Sequence, residues 1–458
     1  MRVVICGAGQ VGFGIAERLA AEDNDVAVID TSPRLIQGIS DSLDVRGFVG
    51  NGAYPDVLAQ AGAEDAEMLI AVTASDEVNM IACQVAHSLF SVPTKVARVR
   101  AQSYLRAYYG DLFSRDHMPI DVIISPEMEV GEMVLRRLAL PGAFDVMTFA
   151  EDRLVVMGVT CDEDCPIIDT PLRQLTELFP DLKSVVLGIS RARHLFVPKA
   201  DDAMLEGDEV YVAVERSQIA RVLHLFGHEE RQATRVVIAG GGNIGLFVAR
   251  ALEKRNSRAR IRIIENSKDR AVQIADTLRR TIVLNGSALD EEILREADVS
   301  EADTMIALTN DDEVNTLSCV MANKLGAKRN LCLINNSGYP NFTRALGIDA
   351  YVDPRAVTIS RVLQHVRRGR ISGVYAVQES AAEIIEAEAL STSPLVDRPL
   401  RDVALSDGIK IGALYRDGEV IFPTSETRIK ARDRVVVFAM AERVREVEQL
   451  FRVSIDFF

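Results

Sequence analysis

Apolar runs of four to seven residues alternate with stretches whose apolar positions recur at helical spacing, and this alternation occurs twice along the chain. RVVIC (2–6) reads as a strand, and GFGIAERLAAE behind it repeats its apolar residues every three or four positions. DVAVID (25–30), RGFVG (46–50), EMLIAVT (67–73) and TKVARVR (94–100) are further strands, separated by the helical patterns PDVLAQAG (55–62) and DEVNMIACQVAHSL (76–89). Strands interleaved with helices predict a parallel, doubly wound α/β sheet. DVIISPEMEVGEMVLRRLAL (121–140) adds a strand and a helix that leads away as a crossover.

Between 145 and 226 the rhythm changes. Short alternating strands such as RLVVMGV (153–159) and DEVYVAV (208–214) are bounded by turn residues and closed by one amphipathic helix, SQIARVLHLF. This predicts a small α+β domain with a mostly antiparallel sheet. HEERQATR (228–235) is polar and aperiodic, and so predicts a linker.

The chain then repeats itself. RVVICGAGQVG (2–12) returns as RVVIAGGGNIG (235–245), with seven of eleven positions identical, and TASDEVN (73–79) returns as TNDDEVN (309–315). Residues 422–451 align without gaps on 197–226. A repeat of this length is a duplicated globular unit, not a solenoid element. The expected order is a Rossmann-like nucleotide-binding domain over 1–123, a small α+β domain over 142–227, a second Rossmann-like domain over 233–353 and a second small domain over 372–453.

Each copy opens on a glycine fingerprint placed between a strand and a helix. In Gly7-Ala8-Gly9-Gln10-Val11-Gly12, Gly7 permits the tight turn, Gly9 lets the backbone approach a pyrophosphate, and Gly12 lets helix and strand pack closely. The helix N-terminus that follows offers unpaired N–H groups to phosphate. Asp30 ends the second strand, where a carboxylate accepts hydrogen bonds from ribose hydroxyls and repels a 2′-phosphate. Gly240-Gly241-Gly242-Asn243-Ile244-Gly245 and Glu265 repeat the arrangement. The acid favours NAD(H) over its 2′-phosphorylated relative and also fits ATP, ADP or AMP, whose adenosine presents the same ribose.

Two further loops fall at carboxyl ends of strands, where such sheets bind ligands. Asn51-Gly52 is matched with Asn285-Gly286, and Thr73 and Asp76 with Thr309 and Asp312. Asp76 and Asp312 have the residue type and position of helix N-caps, or of ligand contacts. Arg98 and Arg100 end the fifth strand of the first copy, where the second has Leu333 and Asn335, so the first is better equipped for extra phosphate charge.

Composition narrows the function. A net charge of −15 argues against a nucleic-acid partner, and no apolar run reaches bilayer-spanning length. Met1-Arg2 runs straight into a strand, which predicts a chain without a signal peptide. Cys6, Cys83, Cys319 and Cys332 sit in apolar patterns as small hydrophobes, and Cys161 and Cys165 lack the partners of a metal site, so none is expected. The six histidines stand in no catalytic string, and no phosphate-loop lysine motif or nucleophile elbow is present. RVLQHVRRGR (361–370) reads as a solvated or partner-facing helix. A regulatory binding protein therefore leads, ahead of a soluble NAD-dependent oxidoreductase or a nucleotide-sensing adaptor of another transporter.

GAGQVG and GGGNIG, the duplicated T-x-x-D-E-V-N string, and the small-domain ends LEGDEVYVAV and KARDRVVVFA together resemble the TrkA family, peripheral subunits of Trk potassium-uptake systems in the RCK/KTN class. The resemblance covers essentially the whole chain. It implies a cytoplasmic protein bound peripherally to the inner membrane face through a K⁺-translocating subunit of the Trk/Ktr type. It implies self-association as a ring, a tetramer of tandem chains, regulated by NAD(H) and ATP or ADP. In the regulatory reading, hinges lie near Pro126–Pro141 and Pro354–Gly369, where each large domain passes into its small one. Carried over by position, Gly7, Gly9, Gly12, Asp30, Gly52 and Arg98 form the first site, and Gly240, Gly242, Gly245, Glu265 and Gly286 the second.

Overall fold

The computed structural model describes residues 1–229, 232–336, 338–343, 345–366, 371–378 and 381–451. Its first sheet contains β1 (Arg2–Cys6), β2 (Asp25–Asp30), β3 (Arg46–Val49), β4 (Met68–Ala71), β5 (Thr94–Arg98) and β6 (Val122–Ile124), all parallel, in the order β3-β2-β1-β4-β5-β6. The intervening helices are α1 (Gln10–Ala21), α2 (Pro33–Ser42), α3 (Pro55–Gln60) and α4 (Asp76–Phe90), and α5 (Pro126–Ala139) follows β6. Both faces of β1 are covered, which is why its sequence is apolar without alternation. Val3 and Ile5 join Ile15 and Leu19 of α1, while Val4 and Cys6 join Leu58 of α3 and Cys83 of α4.

The first small domain follows, with β7 (Ala143–Phe149), β8 (Leu154–Thr160), α6 (Leu172–Leu178), β9 (Ser184–Arg191), β10 (His194–Phe196), β11 (Glu209–Glu215) and α7 (Ile219–Leu225). Its strands form an antiparallel sheet in the order β10-β9-β11-β8-β7. The second parallel sheet has β12 (Arg235–Ala239), β13 (Arg260–Glu265), β14 (Ile282–Asn285), β15 (Thr304–Ala307), β16 (Asn330–Leu333) and β17 (Ala350–Val352), in the order β14-β13-β12-β15-β16-β17. Its helices are α8 (Asn243–Arg255), α9 (Lys268–Ala275), α10 (Glu291–Glu296), α11 (Asp312–Leu325), α12 (Pro340–Thr343) and α13 (Pro354–Val366). The second small domain repeats the antiparallel order with β18 (Ile371–Val377), β19 (Ala382–Glu388), β20 (Ile409–Arg416), β21 (Glu419–Ile421) and β22 (Arg434–Met440), and ends in α14 (Val444–Leu450). The expected fold class, two doubly wound domains each followed by a small α+β domain, is the observed one.

The chain forms two compact units. One holds residues 1–130 with α13; the other holds residues 131–353 and the described residues from 371 on. α13 follows the second parallel sheet but lies on α1 of the first, with Val362, Leu363 and Val366 buried in the same cluster as Ile15 and Leu19. A Cβ on Gly14 would stand 2.4 Å from Ile359 Cδ1, so α1 needs glycine there. The expected solvated helix over 361–370 is thus corrected as far as Val366, because its apolar positions complete a core; residues 367–370 lie outside the described ones. In the second unit, a Cβ on Gly131 of α5 would stand 2.3 Å from the Phe247 ring of α8, and Glu132 pairs with Arg255.

The two small domains in the second unit press sheet on sheet. Phe149, Val156 and Tyr211 share one buried cluster with Ile384, Val436 and Phe438. Gly188 and Gly412 make this possible, since a Cβ on the first would lie 2.7 Å from the Phe438 ring and on the second 2.8 Å from Leu187. Each domain also holds the turn before its penultimate element with a bidentate pair. Arg191 binds Asp208 at 2.9 and 2.8 Å, and Arg416 binds Asp433 at 2.8 and 2.6 Å. These pairs account for the acidic residue in LEGDE and KARDR.

Candidate nucleotide site

The two sites are built alike at the carboxyl end of each parallel sheet. Gly7 has φ +111° and Gly240 φ +101°, a left-handed conformation that favours glycine. A Cβ on Gly12 would fall 1.8 Å from the Gly7 carbonyl oxygen, and on Gly245 2.0 Å from that of Gly240, so helix and loop touch backbone to backbone. Around Gly9 and Gly242 a Cβ would meet nothing within 4 Å. These two glycines therefore keep clear the space in front of the helix start, as phosphate approach requires. α2, α4, α9, α10 and α11 each begin with a side-chain oxygen accepting a backbone N–H, whereas α1 and α8 have no such cap, and neither does α3, which starts on Pro55. In α1 and α8 the first N–H groups and the positive end of the helix dipole are left for an anion.

The acidic strand ends hold the loops in shape. Asp30 accepts from Ala8 N at 2.8 Å and Ser32 N at 2.8 Å; Glu265 accepts from Gly241 N at 2.7 Å and Ser267 N at 2.8 Å. Each carboxylate oxygen keeps lone pairs for a ribose. The extra methylene of Glu265 is accommodated by a smaller neighbour: a Cβ on Gly241, where the first copy has Ala8, would stand 3.1 Å from Glu265 Oε2 and 2.4 Å from Ile274 Cδ1.

The matching of Gly52 with Gly286 is corrected. Gly50 N donates to Asp30 O at 2.9 Å and Gly286 N to Glu265 O at 3.0 Å, and Cβ atoms built on the two would meet Val57 and Ile293 in turn. Gly286 is the counterpart of Gly50, and Gly52 that of Ala288. A complementary exchange hid this register. Gly52 abuts Cys6, whose Sγ would be 2.7 Å from a Cβ there, whereas the second copy pairs Ala288 with Ala239. Asn51 closes a turn on Ala53 N at 2.9 Å, while Asn285 donates to Glu265 O at 2.9 Å and Asn266 O at 3.1 Å.

The N-cap expectation for Asp76 and Asp312 is also corrected. The caps are Ser75 and Asp311, one residue earlier, and each is followed by an acid in the first turn. Asp76 instead accepts from Arg100 N at 2.9 Å and Ala101 N at 2.8 Å, and Asp312 from Asn335 N at 2.9 Å and Asn336 N at 2.7 Å. Both pin the segment after the fifth strand. Thr73 and Thr309 are held by an asparagine that sequence reading did not single out. Asn79 accepts from Thr73 N and Oγ1 at 2.8 and 2.7 Å and donates to Arg98 O at 2.9 Å; Asn315 does the same with Thr309 and Leu333. This explains the final asparagine of T-x-x-D-E-V-N.

The cations differ between the sites. Arg98 is buried, donates from Nη2 to Thr73 O at 2.6 Å, and has no partner for Nε. Burial, then the neighbouring Arg100, pushes its pKa down to about 10. Glu127 lies nearby with a partnerless Oε2, and burial raises its pKa. A buried guanidinium with an unfilled donor suits a ligand with negative charge. The second site has buried Leu333 there, and Asn335 is engaged by Asp312. It carries another cation, Arg270 of α9, whose Nε donates to Gly241 O at 2.8 Å, where the first copy has Leu35. Arg270 lies outside any motif, so only its place one turn into the helix after Glu265 could have marked it.

All six cysteines are buried, and among the described residues no group of three or more His, Cys, Asp or Glu side chains could hold a metal. No described helix is long and apolar enough to cross a membrane.

The chain matches the TrkA-N domain over residues 3–126 and 236–354 and the TrkA-C domain over 156–227 and 384–452. It is 59% identical over 458 residues to the Trk system potassium uptake protein TrkA of Azorhizobium caulinodans and 41% identical over 462 to that of Halomonas elongata, covering 100% of each chain in both cases. Among solved structures it is similar to the GsuK RCK domain (TM-score 0.59, 18% identity, 98% of this chain and 94% of that one). It is likewise similar to the GsuK channel bound to NAD (TM-score 0.60, 17% identity, 98% and 78%). At such identities the structural likeness shows the fold alone.

Proposed function

Because this chain belongs to the TrkA family of Trk system potassium uptake proteins, we propose that it is the cytoplasmic nucleotide-binding regulatory subunit of a Trk-type potassium uptake system. The observation that carries this reading is the pair of uncapped helix N-termini, each with an open glycine and an acidic strand end beside it. NAD(H) and ATP or ADP are the ligands. GsuK, which shares the fold, has been solved with NAD and with ADP. The chains assemble as a ring beneath the membrane K⁺-translocating subunit, and ligand binding changes the ring's shape.

A nucleotide works such a device only by binding one shape better than the other. A 100-fold preference supplies about 2.7 kcal/mol, and two sites per chain in a ring sum such increments. No turnover is part of this reading.

The test is a panel of ATP, ADP, NAD⁺ and NADH on the purified protein, read by calorimetry and oligomer size, with NADH consumption followed across small metabolites. Micromolar binding without NADH oxidation, and co-purification with a potassium-translocating membrane subunit, are expected. Steady NADH oxidation would establish the oxidoreductase instead, and co-purification with a different transporter the adaptor.

A further inference from the structure

The second unit contains a cavity of about 300 Å³ that the nucleotide sites do not use. It lies in the first small domain between α6, β9, β11 and α7, with walls from Leu175, Phe179, Met204 and Phe226. Its volume is about twice the ~150 Å³ that accommodates benzene in an apolar protein cavity, which corresponds to roughly 12 non-hydrogen atoms. It falls at the small end of the range for ligand pockets.

The walls are apolar, but the mouth is basic. Arg173 and Lys199 reach it, each with a carboxylate partner in solvent, Asp201 at 3.1 Å and Asp407 at 3.7 Å. Lys410 differs from both. It comes from β20 of the second small domain, and its ammonium donates to the Pro198 carbonyl at 3.2 Å. An ammonium has three donors, and no described carboxylate forms an ion pair with this one; Asp202 acts on it only at longer range. Burial lowers its pKa from the ordinary lysine value. The corresponding position of the first small domain is Val185, which lines the same cavity, so a valine would satisfy the packing of this strand. A half-buried cation at the mouth of an apolar cavity costs desolvation energy that an anion at that point offsets.

We propose that this cavity binds a small amphipathic carboxylate, its apolar body among Leu175, Phe179, Met204 and Phe226 and its charged head on Lys410. The ligand touches both small domains, since its body lies in the first and its head on a strand of the second. Occupancy therefore strengthens the junction between them, and this effector site is separate from both nucleotide sites.

The experiment titrates the full chain with 2-naphthoate and with the neutral 2-naphthamide, by calorimetry and ligand-observed NMR. One naphthoate per chain is expected, at least tenfold tighter than the amide. Lys410→Met keeps the apolar stem and removes the charge, and should bring naphthoate to the level of the amide while leaving the amide unchanged. Ala200 is exposed at the mouth, and Ala200→Trp should close the cavity to both probes. Retained ATP binding in both variants reports intact folding. Absence of saturable naphthoate binding at millimolar concentration, equal affinity for the two probes, or an unaltered preference in Lys410→Met would each overturn the proposal.

Discussion

Gly9→Val separates the requirements of binding from those of folding. Gly9 has φ −66° and ψ −176°, extended backbone that valine adopts readily, and a Cβ there meets nothing within 4 Å. Two stability effects oppose each other. Restricting the unfolded chain contributes about 0.4–1 kcal/mol, and placing a nonpolar side chain at an N-cap costs a similar amount. The net change in unfolding free energy should stay within about 0.5 kcal/mol. Binding should respond quite differently, because the added methyls occupy the space a phosphate needs to reach the first N–H groups of α1. Each charge-assisted hydrogen bond lost is worth about 1.5–3 kcal/mol, so losing two weakens binding by about 3 kcal/mol or more. That is a loss above 100-fold at the first site. Calorimetry with ATP or NADH should give half the wild-type stoichiometry, and thermal unfolding without ligand should superimpose on wild type. Gly242→Val should remove the other half. Unchanged stoichiometry in Gly9→Val would refute the placement of the ligand, and a large fall in ligand-free stability would refute the claim that the space is open.

Gly12→Ala should behave in the opposite way: its Cβ would lie 1.8 Å from a backbone oxygen, so a loss of about 3 kcal/mol or more should appear in denaturant unfolding even without nucleotide. Asp30→Ala strands the N–H groups of Ala8 and Ser32 and removes the ribose acceptor, and a titration should show first-site affinity weakened by about 1–3 kcal/mol. Asn79→Ala removes the acceptor of Thr73 N and Oγ1 and the donor to the Arg98 carbonyl; chemical denaturation should register roughly 3 kcal/mol lost. Asp303 is desolvated, yet hydrogen bonds from Lys328, Thr234 and Arg235 hold its pKa well below the usual carboxylate range. A depressed folded-state pKa contributes stability above the unfolded value near ~3.9 and loses it as pH falls further. Asp303→Asn should therefore unfold at a lower temperature than wild type at pH 7, with the gap narrowing below pH ~4.

The glycine loops and their acids were legible because backbone geometry and ligand chemistry both fall on residues close together in the chain. Gly7, Gly12 and Asp30 are such positions. The small domains could be read too, but not the role of the acid in LEGDE, whose arginine partner Arg191 lies outside the string. What escaped reading depends on neighbours distant in sequence. The register of Gly286 was obscured because Cys6 and Gly52 trade volume against Ala239 and Ala288. Ser75-Asp76 and Asp311-Asp312 each offer two capping residue types side by side, and the choice between them depends on the loop after the fifth strand, which Asp76 and Asp312 hold. α13 has an ordinary amphipathic pattern, and nothing in that pattern says that it covers α1 rather than its own sheet.

The position of α13 has a consequence for biosynthesis. The face of α1 around Gly14 gains its cover from Ile359 and its neighbours on α13 only after the ribosome has added more than 220 residues beyond Val130. At about 5–20 residues per second this takes on the order of 10–45 s. For that time the nascent first unit presents an oily stripe to water. A chaperone that shields such a stripe should raise the yield of native protein, and a transcript stopped before codon 354 should yield aggregate.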